Sequence, residues 1–269
     1  MSAYPFFEIE KRPDQKTAIL YFNRPEKLNA MNWPFWRDLP LAVGDLEADP
    51  SVRVVIIAGR GKSFTVGLDV FDFFTQFQSI ITGASASSRE ELHRLILKMQ
   101  EGFNRIAEGE KVYICACHRH CIGAGLDIAS ACDLRISTVD TVFSLRETKI
   151  AIVADMGSLN RLPAIIGQGN TRLMALTGRD VPADEALRMG LLNAVYETQE
   201  AMTAGALALA AEISANAAPA VTGAKHILNY MQDHSVRDGL NYVAAWNSAF
   251  LSVEEIQKAL TAMLEKKKS

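Results

Sequence analysis

The sequence is short of several features that mark particular classes of protein. It has no run of about eighteen apolar residues, so no membrane-spanning helix is expected. Its 28 lysines and arginines against 31 acids leave a formal net charge of −3, without the basic surplus typical of nucleic-acid binding. The first residues lack the apolar core of a signal peptide, and the last three are not Ser-Lys-Leu. We therefore expect a cytoplasmic protein.

Cysteine is also scarce, and its spacing does not favour a metal site. The four cysteines, Cys115, Cys117, Cys121 and Cys132, lack the paired C-x-x-C spacing of a zinc site, which favours free thiols in a reducing compartment. His118 and His120 would share one face of a strand, as a metal-binding pair does. A hydrogen-bonded turn is the favoured interpretation, so we predict no metal.

The pattern of hydrophobic residues predicts an α/β protein with a helical end. Strands alternate with helices over the first part of the chain, which is typical of an α/β core. The predicted strands are 17–22, 51–58, 111–117, 134–137 and 142–145, and the predicted helices are 33–47 and 126–132. From about residue 198 the chain is Ala-rich and helical. We predict a catalytic core at 1–197 and a helical region at 198–269.

Two local predictions concern flexibility and helix capping. The Ser-, Ala- and Gly-rich segment 78–88 predicts a mobile loop, and Ser88 to Glu91 forms a capping box that should open the next helix. The basic residues 266–268 predict a solvated terminus.

Two glycine-bearing loops, at residues 64–69 and 121–127, are candidates for ligand binding. Glycine allows the backbone to approach a ligand closely and to present its N–H groups. The second loop runs into a short helix, whose first amides carry partial positive charge. Together the loops suit one oxyanion, although each glycine alone also fits an ordinary turn or helix start.

Three acids, Asp127, Glu147 and Asp155, are candidates for proton transfer. Asp155 follows the apolar run 150–154, and partial desolvation raises a carboxyl pKa toward values useful for proton transfer. Taken singly, Asp127 also suits a first-turn helix acid, Glu147 a surface acid and Asp155 a helix N-cap.

Short motifs follow one another along nearly the whole chain, among them Asn-Arg-Pro-Glu-Lys-Leu-Asn-Ala-Met at 23–31 and Cys-Ile-Gly-Ala-Gly-Leu-Asp at 121–127. The others lie at 61–69, 130–136, 161–163, 166–167, 176–179 and 186–195. In this order they resemble the crotonase (enoyl-CoA hydratase/isomerase) superfamily. The resemblance implies a crotonase-like spiral of ββα units with a C-terminal helical trimerisation region, and trimers or hexamers built from two trimers.

The resemblance further implies a coenzyme A thioester as substrate, without a metal or redox cofactor. The backbone N–H groups of Leu68 and Ala124 would hold the thioester oxygen. The residues implied in binding the substrate or its CoA part are Lys27, Asn29, Ala30, Gly67, Leu68, Asp69, Val70, Phe71 and Gly125.

The acids point to one branch of that superfamily. Its hydratases have glutamates matching positions 127 and 147 and a glycine near 155, whereas Asp127, Glu147 and Asp155 resemble the branch that converts 3,5-dienoyl-CoA to 2,4-dienoyl-CoA. Segment 233–247 resembles that branch too. The resemblance assigns Asp155 as base at C2, Glu147 as acid at C6, two roles open to exchange, and Asp127 in support. The alternatives are a 2-enoyl-CoA hydratase and a non-catalytic acyl-CoA-binding protein.

One position departs from the superfamily pattern. Ala124 stands where a glycine normally supplies the second oxyanion N–H, so a methyl group is expected to crowd the thioester. If the position needs a positive φ, alanine would also strain the backbone.

Overall fold

The computed structural model describes residues 4–266 and contains two compact units, which divide between Ala211 and Glu212. The predicted boundary after residue 197 falls earlier, just before a helix that begins at Gln199. Residues 267 and 268 of the predicted solvated terminus lie outside the described part of the chain.

The first unit alternates strands and helices, as an α/β chain should. Its elements in chain order are β1 (Phe7–Arg12), β2 (Thr17–Phe22), α1 (Trp33–Ala48), β3 (Val54–Gly59), α2 (Val70–Thr82), α3 (Ala86–Glu108), β4 (Val112–Cys117), β5 (His120–Ile122), α4 (Ala124–Ala131), β6 (Leu134–Thr138), β7 (Val142–Ser144), α5 (Ser158–Thr177), β8 (Val181–Pro182), α6 (Ala183–Arg188), β9 (Ala194–Tyr196) and the first part of α7 (Gln199–Ala215). Every strand and helix predicted from the sequence in this unit is present, within three residues at each end.

The main sheet has the strand order β1-β2-β3-β4-β6-β9. Only β1 and β2 pair antiparallel, and the remaining neighbours are parallel. Strands β2 and β4 are buried at every residue, which is why they read as continuous apolar runs rather than as alternating ones. Aromatic rings, including Phe22, Phe35 and Phe64, pack on the core in edge-to-face and tilted contacts.

A second, smaller sheet brings together loops that are distant in sequence. Strand β5 runs parallel to β7, and β8 pairs antiparallel with β7. A parallel bridge joins Thr65 to Cys121, and another joins Met31 to Leu68. These pairings place the loops at 64–69 and 121–127 and the end of β7 side by side.

The segment predicted to be a loop at 78–88 is mostly helical. Helix α2 continues to Thr82, and α3 begins at Ala86, so the predicted capping box at Ser88 is wrong. The N-cap is Ser85, whose Oγ accepts a hydrogen bond from the backbone N–H of Ser88 at 3.1 Å. Both serines fit a cap by residue type, and the cap that forms adds one further helical turn at the start of α3.

The second unit is helical, in agreement with the composition of the chain beyond residue 198. It holds the end of α7, followed by α8 (Ala218–Tyr230), α9 (Val236–Phe250) and α10 (Val253–Lys266). Ser235 and Asp238 form a reciprocal capping box at the start of α9. Within residues 4–266 no single helix is long and apolar enough to cross a membrane, and α7 and α8 meet the length and composition test only as one bent pair.

Candidate active site

The two glycine-bearing loops are in direct contact. Gly67 has φ +86°, and a Cβ there would lie 2.6 Å from the carbonyl oxygen of Ile122 and 3.6 Å from the nitrogen of Ala124. A side chain at position 67 would therefore push the loops apart. From the sequence, glycine was expected to let each loop approach a ligand closely. At Gly67 the close approach is between the two loops themselves.

Leu68 and Ala124, whose backbone N–H groups are the candidate oxyanion donors, line the same cavity. Met31 fixes the backbone on both sides of Leu68. Its N–H donates to the carbonyl of Gly67 at 2.8 Å, and its carbonyl accepts from the N–H of Asp69 at 3.0 Å. Among the described residues, neither the N–H of Leu68 nor that of Ala124 donates to another backbone group. Both N–H groups are therefore free to bind a ligand oxygen.

The backbone strain considered for Ala124 does not arise. Gly123 has the positive φ of +55°, and Ala124 is the first residue of α4, with an ordinary negative φ. The methyl group of Ala124 therefore affects only the space in the cavity and does not strain the backbone.

One cavity of about 220 Å³ is lined by all the predicted acids together with Leu68 and Ala124. Asp127, Glu147 and Asp155 contribute from α4, from the 3₁₀ turn Glu147–Ile150 and from the segment before α5. The remaining wall is largely apolar. It includes Trp36, Val66, Val70, Met99, Ile122, Ile150, Ile152 and Met156.

Glu147 is the acid best suited to exchange a proton near neutral pH. A Cβ on Gly123 would lie 3.1 Å from its Oε1, while its Oε2 is buried without a hydrogen-bond partner in the described structure. Burial, and then the nearby charge of Asp127, raises the pKa of Glu147 to about 7. The alternative of an ordinary surface acid is therefore wrong for this residue.

Asp127 is almost fully buried, at 1 % exposure, and its carboxylate has a structural partner. Its Oδ1 accepts the backbone N–H of Ser158 at 2.7 Å and so caps α5, whose own N-cap residue is Gly157. Burial raises the pKa of Asp127 to about 6, and hydrogen bonding from Ser158 opposes that rise. The N-cap alternative for Asp155 is therefore wrong, because Asp127 supplies the cap from another helix.

Asp155 is half-buried on the wall of the same cavity. Burial raises the pKa of its carboxyl, against the opposing effect of a backbone N–H. Its carbonyl oxygen accepts a hydrogen bond from Gln100 Nε2 at 2.6 Å. Sequence reasoning missed Gln100, since nothing in the spacing of residues 100 and 155 links them.

A surface groove of about 640 Å³ meets this cavity at Leu68 and Val70. It is lined by Arg24, Lys27, Ala30, Leu68, Asp69, Val70, Phe71, Asp72 and Thr75, which include six of the residues predicted to bind substrate or CoA. Gly67 lines the inner cavity. Lys27 is exposed, whereas Asp69 is paired with Arg24 at 2.7 Å.

Asn29 and Gly125 line neither the cavity nor the groove. Asn29 is fully buried, and its side-chain amide donates to the carbonyls of Arg60 and Ser63 at 3.0 and 2.8 Å. A Cβ on Gly125 would lie 2.5 Å from the side chain of Thr65. Asn29 thus fixes the backbone just before the loop at 64–69, and Gly125 leaves room for Thr65 of that loop.

The histidines and cysteines near the second loop have partners of other kinds. His118 Nε2 lies 3.0 Å from the carbonyl oxygen of Gly61, and His120 Nδ1 lies 3.2 Å from Ser63 Oγ. These contacts agree with the hydrogen-bonded turn favoured from the sequence. The four cysteines are free and buried, as predicted for free thiols, and burial raises the pKa of each.

Comparison with known proteins gives matches over nearly the whole chain. The family described as Enoyl-CoA hydratase/isomerase matches residues 14–269. The Delta(3,5)-Delta(2,4)-dienoyl-CoA isomerase of Mus musculus mitochondria is 38 % identical over 99 % of this chain and 82 % of its own length. The peroxisomal protein of the same name from Arabidopsis thaliana is 38 % identical over 100 % and 97 %. The solved enoyl-CoA hydratase of Thermoplasma volcanium superposes with a TM-score of 0.83 at 26 % identity, covering 96 % of each chain.

Proposed function

This chain belongs to the enoyl-CoA hydratase/isomerase family, and from that premise we propose that it is an isomerase that converts 3,5-dienoyl-CoA to 2,4-dienoyl-CoA in fatty-acid β-oxidation. The observation that carries the proposal is the shared cavity of Asp127, Glu147 and Asp155 beside two free backbone amides. Relatives named for this reaction match nearly the full chain, which supports the same activity.

The reaction needs one proton removed and another delivered at a different carbon. In a 3,5-dienoyl thioester the C2 proton is acidic, and its removal by the Asp155 carboxylate leaves a dienolate with charge on the thioester oxygen. Glu147, as the neutral acid, then protonates C6, and the double bonds move to C2 and C4. Asp155 ends protonated and Glu147 ionised, so a proton must return from one to the other before the next turnover.

The acidities of the two groups support these roles. A general acid or base works best when its pKa is near the working pH, and the pKa of Glu147 is about 7. The raised pKa of Asp155 makes it a stronger base than an ordinary aspartate. Proton transfer of this kind requires no metal and no redox cofactor, and the coenzyme A thioester enters as substrate.

The amides of Leu68 and Ala124 provide the electrostatic part of the mechanism. Each fixed N–H donor that faces a developing oxyanion is worth about 3 kcal/mol of transition-state stabilisation. The thioester carbonyl would sit between the two loops, with the acyl chain in the apolar cavity and the CoA part in the groove of Lys27 and Phe71.

A 2-enoyl-CoA hydratase is the second candidate, and the position of Asp127 disfavours it. A hydratase needs two carboxylates that hold one water molecule. Here Oδ1 of Asp127 already accepts the N–H of Ser158, and its side chain is one methylene shorter than glutamate. A non-catalytic acyl-CoA-binding protein would gain nothing from two desolvated acids beside an oxyanion site.

The decisive experiment follows turnover of 3,5-dienoyl-CoA by the absorbance of the conjugated product. Glu147→Gln and Asp155→Asn should each lower kcat by about 10²- to 10⁴-fold, because each removes one proton-transfer group. Glu90→Gln changes an exposed acid on α3 and should leave kcat unchanged. Near-wild-type turnover by either active-site variant would remove that residue from the mechanism. Faster turnover of a 2-enoyl-CoA than of any dienoyl-CoA would favour the hydratase.

The proposal also covers assembly and location. We propose a homotrimer or a hexamer of two trimers, with 198–269 as the helical oligomerisation region. Exposed apolar side chains support subunit contacts, with Val153 and Leu176 more than 70 % exposed in the first unit and Leu228 and Leu240 at 70 % and 64 % in the second. Light scattering tests the assembly. Four free thiols favour a reducing, cytoplasmic setting.

A further inference from the structure

The turn that carries Asp155 is held by side chains from outside its own segment. Gln100 Nε2, on α3, donates to the carbonyl of Asp155 at 2.6 Å. One helical turn later, Asn104 Oδ1 accepts from Arg161 Nη2 at 2.7 Å, and Nη1 of the same arginine donates to the carbonyl of Met156 at 3.2 Å. Two consecutive carbonyls of the turn are thus fixed, one by α3 directly and one through Arg161.

The other end of the turn is fixed from α4. Asp127 accepts the N–H of Ser158, two residues after Met156. Gly157, between Met156 and Ser158, has φ +111°, and a Cβ there would lie 2.0 Å from Arg161 Nη1. The turn therefore passes against the arginine with no room for a side chain, and its backbone has hydrogen bonds at both ends.

We infer that Gln100 is a positioning residue that sets the location of the Asp155 carboxyl in the cavity. The inference rests on the proposed function, in which Asp155 removes the C2 proton. Met99, the preceding residue on α3, lines the same cavity, and the buried face of this helix also includes Leu95 and Phe103. Helix α3 thus contributes both a wall of the cavity and an anchor for the base.

The physical reason is the sensitivity of proton transfer to distance. Catalytic groups must be held within about 0.5 Å of their productive position, and a misplacement of about 1 Å costs up to 10²-fold in rate. Without the Gln100 hydrogen bond, the carbonyl of Asp155 has lost its donor, and the backbone before Met156 can rotate. The CoA groove lies on other residues, so substrate affinity should not change.

The test compares substitutions of Gln100 in the full-length protein. Gln100→Met keeps the length of the side chain but removes the donor, and should lower kcat for 3,5-dienoyl-CoA about 10- to 100-fold with KM within about twofold. Gln100→Glu can donate only when protonated, so its kcat relative to that of Gln100→Met should be higher at pH 5 than at pH 8. Glu101→Gln alters the neighbouring exposed residue, which pairs with Arg105, and is the matched control.

The outcomes separate this inference from the proposed function. A wild-type protein that turns over no dienoyl-CoA refutes the proposed function itself. If the wild type is active and Gln100→Met keeps at least half of its kcat, the positioning role is refuted. A lower thermal midpoint with unchanged kcat would also refute it, because the hydrogen bond would then serve stability alone. A ratio of Gln100→Glu to Gln100→Met that does not vary with pH contradicts the hydrogen-bond explanation.

Discussion

Replacing Glu147 by glutamine should make the protein more stable than the wild type at alkaline pH even as it lowers turnover. The pKa of this acid is raised from 4.5 to about 7, mainly by burial. The folded state therefore binds the proton more tightly than the unfolded state does, and the stability present below about pH 4.5 is lost as the pH rises through 7. Glutamine has no charge to desolvate and should avoid that loss.

The size of the effect follows from the same values. A rise in pKa from 4.5 to about 7 corresponds to about 3 kcal/mol, at about 1.4 kcal/mol for each tenfold change in proton affinity. Part of that difference is already present at pH 5, and the side chain is only half-buried. The gain in unfolding free energy of the variant over wild type should therefore grow by about 2 kcal/mol between pH 5 and pH 8.

Urea denaturation of both proteins at pH 5 and pH 8 measures this gain, with slopes compared to confirm that the same surface is exposed. Glu26→Gln is the control, because Glu26 is 68 % exposed, and it should change the free energy of unfolding by less than about 0.5 kcal/mol at either pH. A pH-independent difference for Glu147→Gln, or a variant less stable than wild type at pH 8, would contradict the assigned environment of this acid.

Two further predictions concern the loops and the buried aspartate. Gly67→Ala should lower kcat by at least about 10-fold and destabilise the fold by about 1 to 3 kcal/mol, measured by turnover and urea denaturation, because its Cβ would meet the carbonyl of Ile122 at a φ of +86°. Wild-type activity would show that the loops can separate without cost. Asp127→Asn keeps an oxygen for the Ser158 N–H but removes a charge that raises the pKa of Glu147. The limb of the kcat–pH profile that reports Glu147 should then move to lower pH, and an unmoved limb would contradict the coupling.

The parts of the fold that could be predicted are those governed by local pattern. The buried strands of the main sheet and helix α1 follow from apolar runs and 3.6-residue periodicity, which act over short stretches of sequence. The start of α3 was misplaced by three residues, because Ser85 and Ser88 are equally good caps by residue type. Which of the two serines caps the helix depends on where the chain turns after Gly83, and residue type does not show this.

The candidate site was predicted less completely than the fold. The residues made Asp127, Glu147 and Asp155 candidates, and the resemblance to a family grouped them in one site; their meeting in one cavity agrees with that expectation. The hydrogen bond that the backbone N–H of Ser158 donates to Asp127 was not predicted. It links two helices through a backbone group, which every residue type except proline can supply. Gln100 is hidden for the same reason, because its partner is the carbonyl of Asp155 and any residue would supply one.

The separation of roles between Gly123 and Ala124 has a consequence for the range of substrates. Since Gly123 takes the positive φ, Ala124 can change in bulk without moving its own backbone N–H, the one proposed to face the thioester. Substitutions at position 124 that add or remove a methyl group can therefore change how well the site accepts an acyl chain branched next to the thioester carbonyl. The space beside the proposed thioester site and the strength of the proposed oxyanion contact can therefore change independently.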